Sequence, residues 1–255
     1  MTAKLNEVVE YLDQLLDPEK FPGDSSNNGL QVEGAPTVEK ALFAVDSPTA
    51  LLDRAAACRA DLVFVHHGLS WGTGFKMLTG ITAGKLRRLF SGNISLYASH
   101  LPLDAHPVHG HNAVMADMID LCDRGGFYRC GGNDIGISGR LPLATTLGDL
   151  AELLADRLNG DYTIYGNEAA MVANLGLISG SPGSDGILAA GQSGLDCLIT
   201  GEITHVSFQT IRETGLPVIC LGHYKSETPG VVRMMELVNA RFDIDCEFVD
   251  LPTGL

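Results

Sequence analysis

The chain has 255 residues, of which 45% are hydrophobic and 19% are charged, and this composition is typical of a globular protein with one large domain or two small ones. It carries 17 Lys and Arg against 31 Asp and Glu, so its formal net charge is -14. Non-specific binding to nucleic acid requires clustered positive charge, and this balance argues against it. A nucleotide ligand stays open, because a local positive site such as a metal ion would suffice.

The six cysteines favour a reduced, cytoplasmic protein. No two of them form a Cys-x-x-Cys pair and most lie in apolar runs, so we interpret them as reduced core residues. The first 16 residues carry charges throughout, and no signal peptide is expected. No window approaches the roughly 18 apolar residues that a membrane helix needs.

The first half of the chain predicts alternating helices and strands. Apolar spacing predicts an amphipathic helix over residues 3–16, and the polar, glycine-containing stretch 21–33 predicts a loop of little intrinsic structure. The strand–helix–strand order that follows implies parallel strands joined by a right-handed crossover. We predict strands at 41–45, 61–65 and 94–98, and helices at 49–59, 82–90 and 111–122.

The second half predicts a further α/β region. Glycine pairs at 125–126 and 131–132 predict a domain boundary, which gives halves of 1–125 and 126–255, with a final helix and strand that could pack back on the first half. The Gly/Ser-rich segment 180–186 predicts a turn, and phosphate binding by its backbone is the less favoured interpretation. We predict strands at 134–140, 172–179, 196–199, 218–221 and 244–250, and helices from Thr146 and at 228–240.

Four of the eight histidines follow predicted strands directly: His66, His67, His100 and His223. Ligands of α/β proteins bind beyond the carboxyl ends of strands, so this clustering indicates a functional site. Gly68 lets the chain turn at once after the histidine pair, so that both imidazoles could face one cavity and bind one metal ion each. The alternative for either histidine alone is a core residue bonded to a carbonyl group, but the pair followed by glycine favours ligands.

Carboxylates accompany these histidines. Asp104 could supply an oxygen ligand or simply cap a turn, and Glu227, ahead of a predicted helix, could bridge two cations or stabilise the helix N-terminus by its charge. His100 could be a ligand, an orienting group or a proton carrier. Glu202 could be an orienting partner, a general base or a solvated loop residue. On spacing alone these alternatives stay open.

The predicted ligand set mixes nitrogen and oxygen donors, which suits Zn, Fe, Mn, Co or Ni rather than Ca or Mg. Five ligands shared by two divalent ions leave coordination positions open, so a closed structural site is not expected. Two metal ions about 3.5–4 Å apart can generate hydroxide and stabilise an oxyanion, as in hydrolases. The predicted ligands are His66, His67, Asp104, His223 and Glu227.

Other chemical signals are weak. The sequence shows no Ser-His-Asp arrangement with a nucleophile elbow. The single tryptophan, Trp71, is not expected to offer a stacking platform.

Five motifs, taken in order, resemble one known family. They lie at residues 28–34 (NGLQVEG), 66–68 (HHG), 100–107 (HLPLDAHP), 200–202 (TGE) and 222–227 (GHYKSE). Together they resemble the GTP cyclohydrolase 1 type 2 homologue family, also called the NGG-interacting-factor-three-like proteins. Two positions depart from the pattern of many members, namely Gly68, where proline is common, and His205, which is followed by Val206 rather than by a second histidine.

The resemblance implies a duplicated α/β fold, with sandwich-like halves, mixed sheets and a dinuclear metal site between the halves. It implies assembly as a toroidal homohexamer, a trimer of dimers. It also maps the metal ligands of the family onto the five residues named above and makes Glu227 the bridging ligand.

We therefore predict a dinuclear metal-dependent hydrolase, similar to GTP cyclohydrolase, that acts on a nucleotide or related phosphorylated heterocycle. In this hypothesis a metal-bound hydroxide attacks an electrophilic carbon, and Glu202 or His100 carries protons. The alternative is a non-catalytic metal-binding assembly or regulatory protein that forms a ring. Neither nucleic acid nor a membrane is expected as a partner.

Overall fold

A computed structural model describes residues 2–130 and 132–255. Its thirteen strands, counted within those residues, range from two to fourteen residues in length. They are β1 (Ala3–Lys4), β2 (Gly29–Val32), β3 (Thr37–Val38), β4 (Lys40–Asp46), β5 (Leu62–His67), β6 (Ser95–Ala98), β7 (Cys122–Cys130), β8 (Asn133–Thr146), β9 (Thr163–Tyr165), β10 (Met171–Ile178), β11 (Cys197–Thr200), β12 (Val218–Cys220) and β13 (Asp245–Phe248).

Ten α-helices lie between these strands in the same part of the chain, and a single 3-10 turn follows the first of them. None of the described helices is both long enough and apolar enough to cross a membrane. They are α1 (Leu5–Leu16), α2 (Thr49–Cys58), α3 (Gly80–Gly92), α4 (Leu101–Asp104), α5 (His111–Met118), α6 (Leu147–Leu158), α7 (Gly183–Gln192), α8 (His205–Thr214), α9 (His223–Ser226) and α10 (Thr228–Phe242).

The chain forms two compact units. The first takes in residues 1–103 and 231–251, and the second takes in residues 104–230 and 252–255. The division therefore differs from the predicted one at residue 125, because the glycines at 125–126 belong to β7, which pairs with β8 as a hairpin. Of the second predicted glycine pair, Gly131 lies outside the described residues. The final strand does join the first half of the chain, since β13 pairs with β4.

The first unit contains a five-stranded mixed sheet in the order β13-β4-β5-β6-β2. The first four of these strands are parallel, and β2 is antiparallel to β6. The central strand, β5, is buried from Leu62 to His66, as expected for a parallel strand that is covered on both faces. The buried strand β5 therefore ends at His67.

An aromatic row fixes the register of three strands in this sheet. Phe43, Phe64 and Tyr97 are paired across β4, β5 and β6, with ring centroids 5.4 and 5.7 Å apart. All three side chains are essentially inaccessible to solvent, and the Tyr97 hydroxyl donates a hydrogen bond of 2.8 Å to Asp13. The same register places Asp46 opposite His67 at the strand ends.

The second unit contains a six-stranded mixed sheet in the order β7-β8-β10-β11-β12-β9. Strands β10, β11 and β12 are parallel, and the outer strands pair antiparallel. Helix α6 begins as predicted, since the Thr146 hydroxyl accepts the Asp149 N–H at 3.1 Å. The parallel strands end at one edge, next to Ser179, Gly201 and His223.

Three local predictions are corrected. The stretch 21–33 is not wholly loop, because its last residues form β2. The segment 180–186 is not a plain turn, because α7 begins at Gly183. The predicted helix at 111–122 ends at Met118, because the chain enters β7 at Cys122.

Candidate metal centre

His66 and His67 are the last two residues of β5, rather than the first two residues after it. Neighbours on a regular strand point to opposite faces, yet here the ring centroids are only 4.6 Å apart, with the planes inclined by 49°. His66 is wholly buried, and the side chain of His67 is 21% exposed. The strand end therefore holds one buried and one accessible imidazole in contact.

His100, which follows β6, joins this pair within the first unit. Its ring centroid lies 5.1 Å from that of His66 and 5.6 Å from that of His67. One possible ligand atom from each of the three histidines lies within 4.8 Å of the others. The adjacent parallel strands β5 and β6 thus bring together the three histidines that the sequence places at their ends.

Each of these three imidazoles presents its Nδ1 atom to an oxygen. His66 Nδ1 lies 2.8 Å from the Ser99 carbonyl oxygen, His67 Nδ1 lies 2.8 Å from Asp46 Oδ1, and His100 Nδ1 lies 2.8 Å from Asp24 Oδ1. An oxygen acceptor at Nδ1 assigns the proton to that nitrogen in the neutral ring. Nε2 then carries the lone pair, which is the usual arrangement of a histidine that binds a metal through Nε2.

Asp24 is a buried carboxylate that the sequence did not single out. Its side chain is 1% exposed and accepts hydrogen bonds from His100 and the Ser26 N–H at Oδ1, and from Asn28 and the Leu101 N–H at Oδ2. Burial acts to raise the pKa of Asp24, but the hydrogen bonds and the charge of His100 outweigh it and hold that pKa below its usual value. Asp24 is therefore an anion that orients His100.

In the second unit, Asp104 is the last residue of α4 and is 7% exposed. Its Oδ1 accepts a hydrogen bond of 2.6 Å from the Ser179 hydroxyl at the end of β10. Asn112 strengthens this arrangement, since its amide donates to the Asp104 carbonyl and accepts the Ser179 N–H. One carboxylate oxygen of Asp104 is thus held in place by a neutral donor.

His111 is fully buried and contributes a possible ligand atom within 4.8 Å of one from Asp104. Its Nδ1 accepts the Gly230 N–H at 3.1 Å, which assigns the proton of the neutral ring to Nε2. His111 therefore has the opposite tautomer from the three histidines of the first unit and presents a donor. Sequence reasoning did not select it, and its only signal was a histidine at the start of a predicted helix.

His223 lies between two carboxylates of the second unit. Its Nε2 is 3.1 Å from Glu227 Oε1, and its Nδ1 is 3.1 Å from Glu202 Oε1. The hydrogen bond that His223 donates to Glu227 is the main cause that raises the pKa of His223 to about 9; burial opposes it, while the charge of Glu227 and the contact with Glu202 add to it. Glu227 itself is 3% exposed. The structure therefore brings together the predicted residues Glu202, His223 and Glu227.

Gly201 allows this part of the second unit to pack closely. A Cβ atom at this position would lie 2.5 Å from Ser226 Oγ, 2.6 Å from the Gly180 carbonyl oxygen and 2.8 Å from His223 Cα. Gly201 also accepts the Gly222 N–H, which ties the ends of β11 and β12 together. A side chain at Gly201 would therefore displace the backbone that carries His223.

We expect Gly201→Ala to lower the free energy of unfolding by about 1–3 kcal/mol, because an extra methyl group in a packed site forces its neighbours apart. Urea unfolding followed by circular dichroism measures this change. Gly191→Ala, in α7, is the matched control, since a Cβ atom there would meet nothing within 4 Å. The packing argument is wrong if Gly201→Ala unfolds at the same urea concentration as Gly191→Ala.

The chain forms two α/β units with mixed sheets, and histidines and carboxylates gather at the strand ends. These features place it in a class of candidate metal-binding α/β proteins. Within that class the chain belongs to the Duf34/NIF3 (NGG1p interacting factor 3) family, whose model matches residues 3–253. The family resemblance predicted from the five motifs is confirmed.

The relatives cover nearly the full length. A protein from Archaeoglobus fulgidus named GTP cyclohydrolase 1 type 2 homolog is 40% identical over 251 residues, which are 98% of this chain and 99% of that protein. A protein of the same name from Pyrococcus abyssi is 38% identical over 250 residues, which are 98% of both chains. The solved structure of protein ybgI, described as of unknown function, has a TM-score of 0.89 at 32% identity and covers 99% of this chain and 100% of its own.

Proposed function

We propose that the protein is a dinuclear metal-dependent hydrolase that acts on a nucleotide or a related phosphorylated heterocycle. The observation that carries this proposal is the shared arrangement of His66, His67 and His100, each with Nδ1 on an oxygen and therefore with the lone pair of the neutral ring on Nε2. A core histidine can also bond to a carbonyl oxygen, as His66 does, but His67 and His100 contact carboxylates at the same strand edge, and this favours ligand binding.

The proposed metal ligands are the five that the sequence predicts, namely His66, His67, Asp104, His223 and Glu227. The residues fit this role chemically, because they offer imidazole nitrogens and carboxylate oxygens, and most are already oriented by a partner. The metals we expect are two divalent transition-metal ions, Zn, Fe, Mn, Co or Ni. When bound, such ions supply a Lewis acid and lower the pKa of water.

The residues around these ligands have separate roles in the proposal. Asp46 and Glu202 accept from the Nδ1 atoms of His67 and His223, so each holds its ring in one orientation. Glu202 is engaged in this way, which favours His100 over Glu202 as the proton carrier. His100 would take up a proton at Nε2, and the Asp24 carboxylate behind Nδ1 would stabilise the positive ring.

We also propose that the protein is a homohexamer, a trimer of dimers, on the strength of the family resemblance. Sedimentation equilibrium of the purified protein tests this directly. A mass of six chains supports the proposal, and a monomer at micromolar concentration contradicts it.

The test of the hydrolase is turnover of nucleotides by protein loaded separately with Zn, Fe, Mn, Co or Ni. The screen should include GTP, ATP and their diphosphates, with products separated by chromatography and the metal content measured in the same sample. Hydrolysis by at least one loaded form supports the proposal. Complete absence of turnover by fully metallated protein contradicts it and favours the non-catalytic metal-binding assembly.

A further inference from the structure

Trp71, the single tryptophan of the chain, lies beside the histidines of the first unit. Its ring centroid is 5.2 Å from that of His100, with the planes inclined by 69°, and 6.1 Å from that of His67. The residue is nevertheless 37% exposed. The sequence alone provides no reason to expect a stacking platform at Trp71, but the structure places an accessible indole next to the imidazoles.

The indole is held in place by its own hydrogen bond. Its Nε1–H donates to the carbonyl oxygen of Gly68 at 2.9 Å. Gly68 lies against the Gln31 amide, where a Cβ atom would come within 2.6 Å of two of its atoms. The Gln31 side chain in turn accepts the N–H groups of Leu69 and Ser70. The chain from the histidine pair to Trp71 is therefore held by the half-buried amide of Gln31.

The backbone of Trp71 is also fixed from a second direction. Ser26 and Trp71 form an isolated antiparallel bridge, and the Gly72 N–H donates to the Ser25 carbonyl oxygen at 2.6 Å. Asn27 donates to Ser70 through both its backbone and its side chain. This stretch belongs to the loop that carries Asp24, the partner of His100. One rigid loop pair therefore sets the positions of both His100 and Trp71.

We propose that Trp71 is the stacking surface for the aromatic heterocycle of the substrate and so determines specificity for substrates that contain a base. This inference rests on the proposed function for the phosphorylated heterocycle, and it adds the residue that recognises the ring. An indole that is already immobilised loses little side-chain freedom when a planar ligand stacks on it. Its π-system accepts any base, so the recognised class is the planar heterocycle rather than one particular purine.

The single tryptophan makes the test direct, because its fluorescence reports on Trp71 alone. The protein is loaded with zinc, because the filled d shell of the zinc ion has no redox activity. It is then titrated with GTP, guanosine, ribose 5-phosphate and inorganic triphosphate, and fluorescence is excited at the red edge of the tryptophan band. We expect saturable quenching by GTP and guanosine and none by the two ligands that lack a base. Equal quenching by triphosphate and GTP, or no quenching by either base-containing ligand, overturns the proposal.

Variants separate stacking from structural support. Trp71→Leu should weaken GTP binding, measured by equilibrium dialysis, by roughly tenfold or more, since stacking of one base on an aromatic side chain contributes about 1–3 kcal/mol. Trp71→Phe should retain most of the affinity, and both variants should keep the zinc content of the wild type. Phe90→Leu, which removes a 63% exposed aromatic residue from α3, is the matched control and should leave the affinity unchanged.

The outcomes for the two proposals are distinct. Tight, Trp71-dependent binding of GTP without turnover leaves the stacking inference intact and contradicts the hydrolase. Turnover of GTP by Trp71→Leu with an unchanged KM leaves the hydrolase intact and overturns the stacking inference.

Discussion

His66→Ala is expected to bind at least one metal ion fewer per chain than the wild-type protein. His66 is wholly buried, and its Nδ1 is already committed to the Ser99 carbonyl, so its Nε2 is oriented before a metal binds. Removal of a pre-oriented imidazole deletes one of the five proposed ligands. Reconstitution with excess zinc, removal of free metal by gel filtration and elemental analysis of the protein peak measure the change.

Alanine at the buried position of His66 leaves a cavity, so misfolding of this variant would also cause loss of metal. Two further variants distinguish loss of a ligand from misfolding. His67→Ala, at the accessible end of β5, and Glu227→Ala, in the second unit, should each also lose at least one ion. His205→Ala removes an exposed histidine and is the control, which should keep full metal content. Full metal content in both His66→Ala and Glu227→Ala would mean that the ligand assignment is wrong.

His100→Ala is expected to lower kcat for the hydrolysis of the best nucleotide by about 100-fold or more, with the metal content unchanged, because a positioned proton carrier typically contributes 10²–10⁴-fold. The physical reason is the pairing of His100 with the buried Asp24 carboxylate, which leaves Nε2 as the acceptor and stabilises the ring once it is protonated. Steady-state kinetics of the metal-loaded variant, with elemental analysis of the same sample, measures both quantities.

The same experiment distinguishes the two open interpretations of His100. A loss of rate with full metal content supports the proton carrier, whereas loss of metal would show that His100 is itself a ligand. His106→Ala is a useful comparison, because the Nδ1 of His106 accepts the backbone N–H groups of Val108 and His109, a structural role in its own loop. It should keep a kcat close to that of the wild type.

The sequence predicted the elements that position the histidines well, because their physical signals are local. The runs that form β5 and β6 are short, apolar and rich in β-branched or aromatic residues, which is typical of buried parallel strands. Since adjacent parallel strands end at the same edge, His66, His67 and His100 could be expected to meet, and in the first unit they do. The cap at Thr146 is similarly local and was predicted correctly.

The residues that orient the site could not be found in this way, because their partners are distant along the chain. Asp24 lies in a polar stretch that looks like any solvated loop, and its contacts with His100 and Leu101, 76 and 77 residues away, help to make it a buried anion. Strand β2 lies in the same stretch and forms at the sheet edge through pairing with β6 rather than through its own propensity. Trp71 gave no signal by itself, since its role depends on which rings it meets.

The position of the domain division also could not be predicted from the local sequence. Glycine pairs often mark a linker, but the pair at 125–126 forms part of a hairpin strand, while the division falls at residues 103/104, 230/231 and 251/252. The first two of these points lie within the helices α4 and α10. A division inside a regular element leaves no mark in local composition.

The most direct test of the central claim is anomalous X-ray diffraction from crystals of the zinc-reconstituted protein. We predict two anomalous peaks per chain, about 3.5–4 Å apart as in other two-metal sites, with His66 on one ion, His67 on the other and Glu227 bound to both. A single peak, or two peaks bound by residues outside the set His66, His67, Asp104, His223 and Glu227, would contradict the dinuclear site on which the proposed function rests.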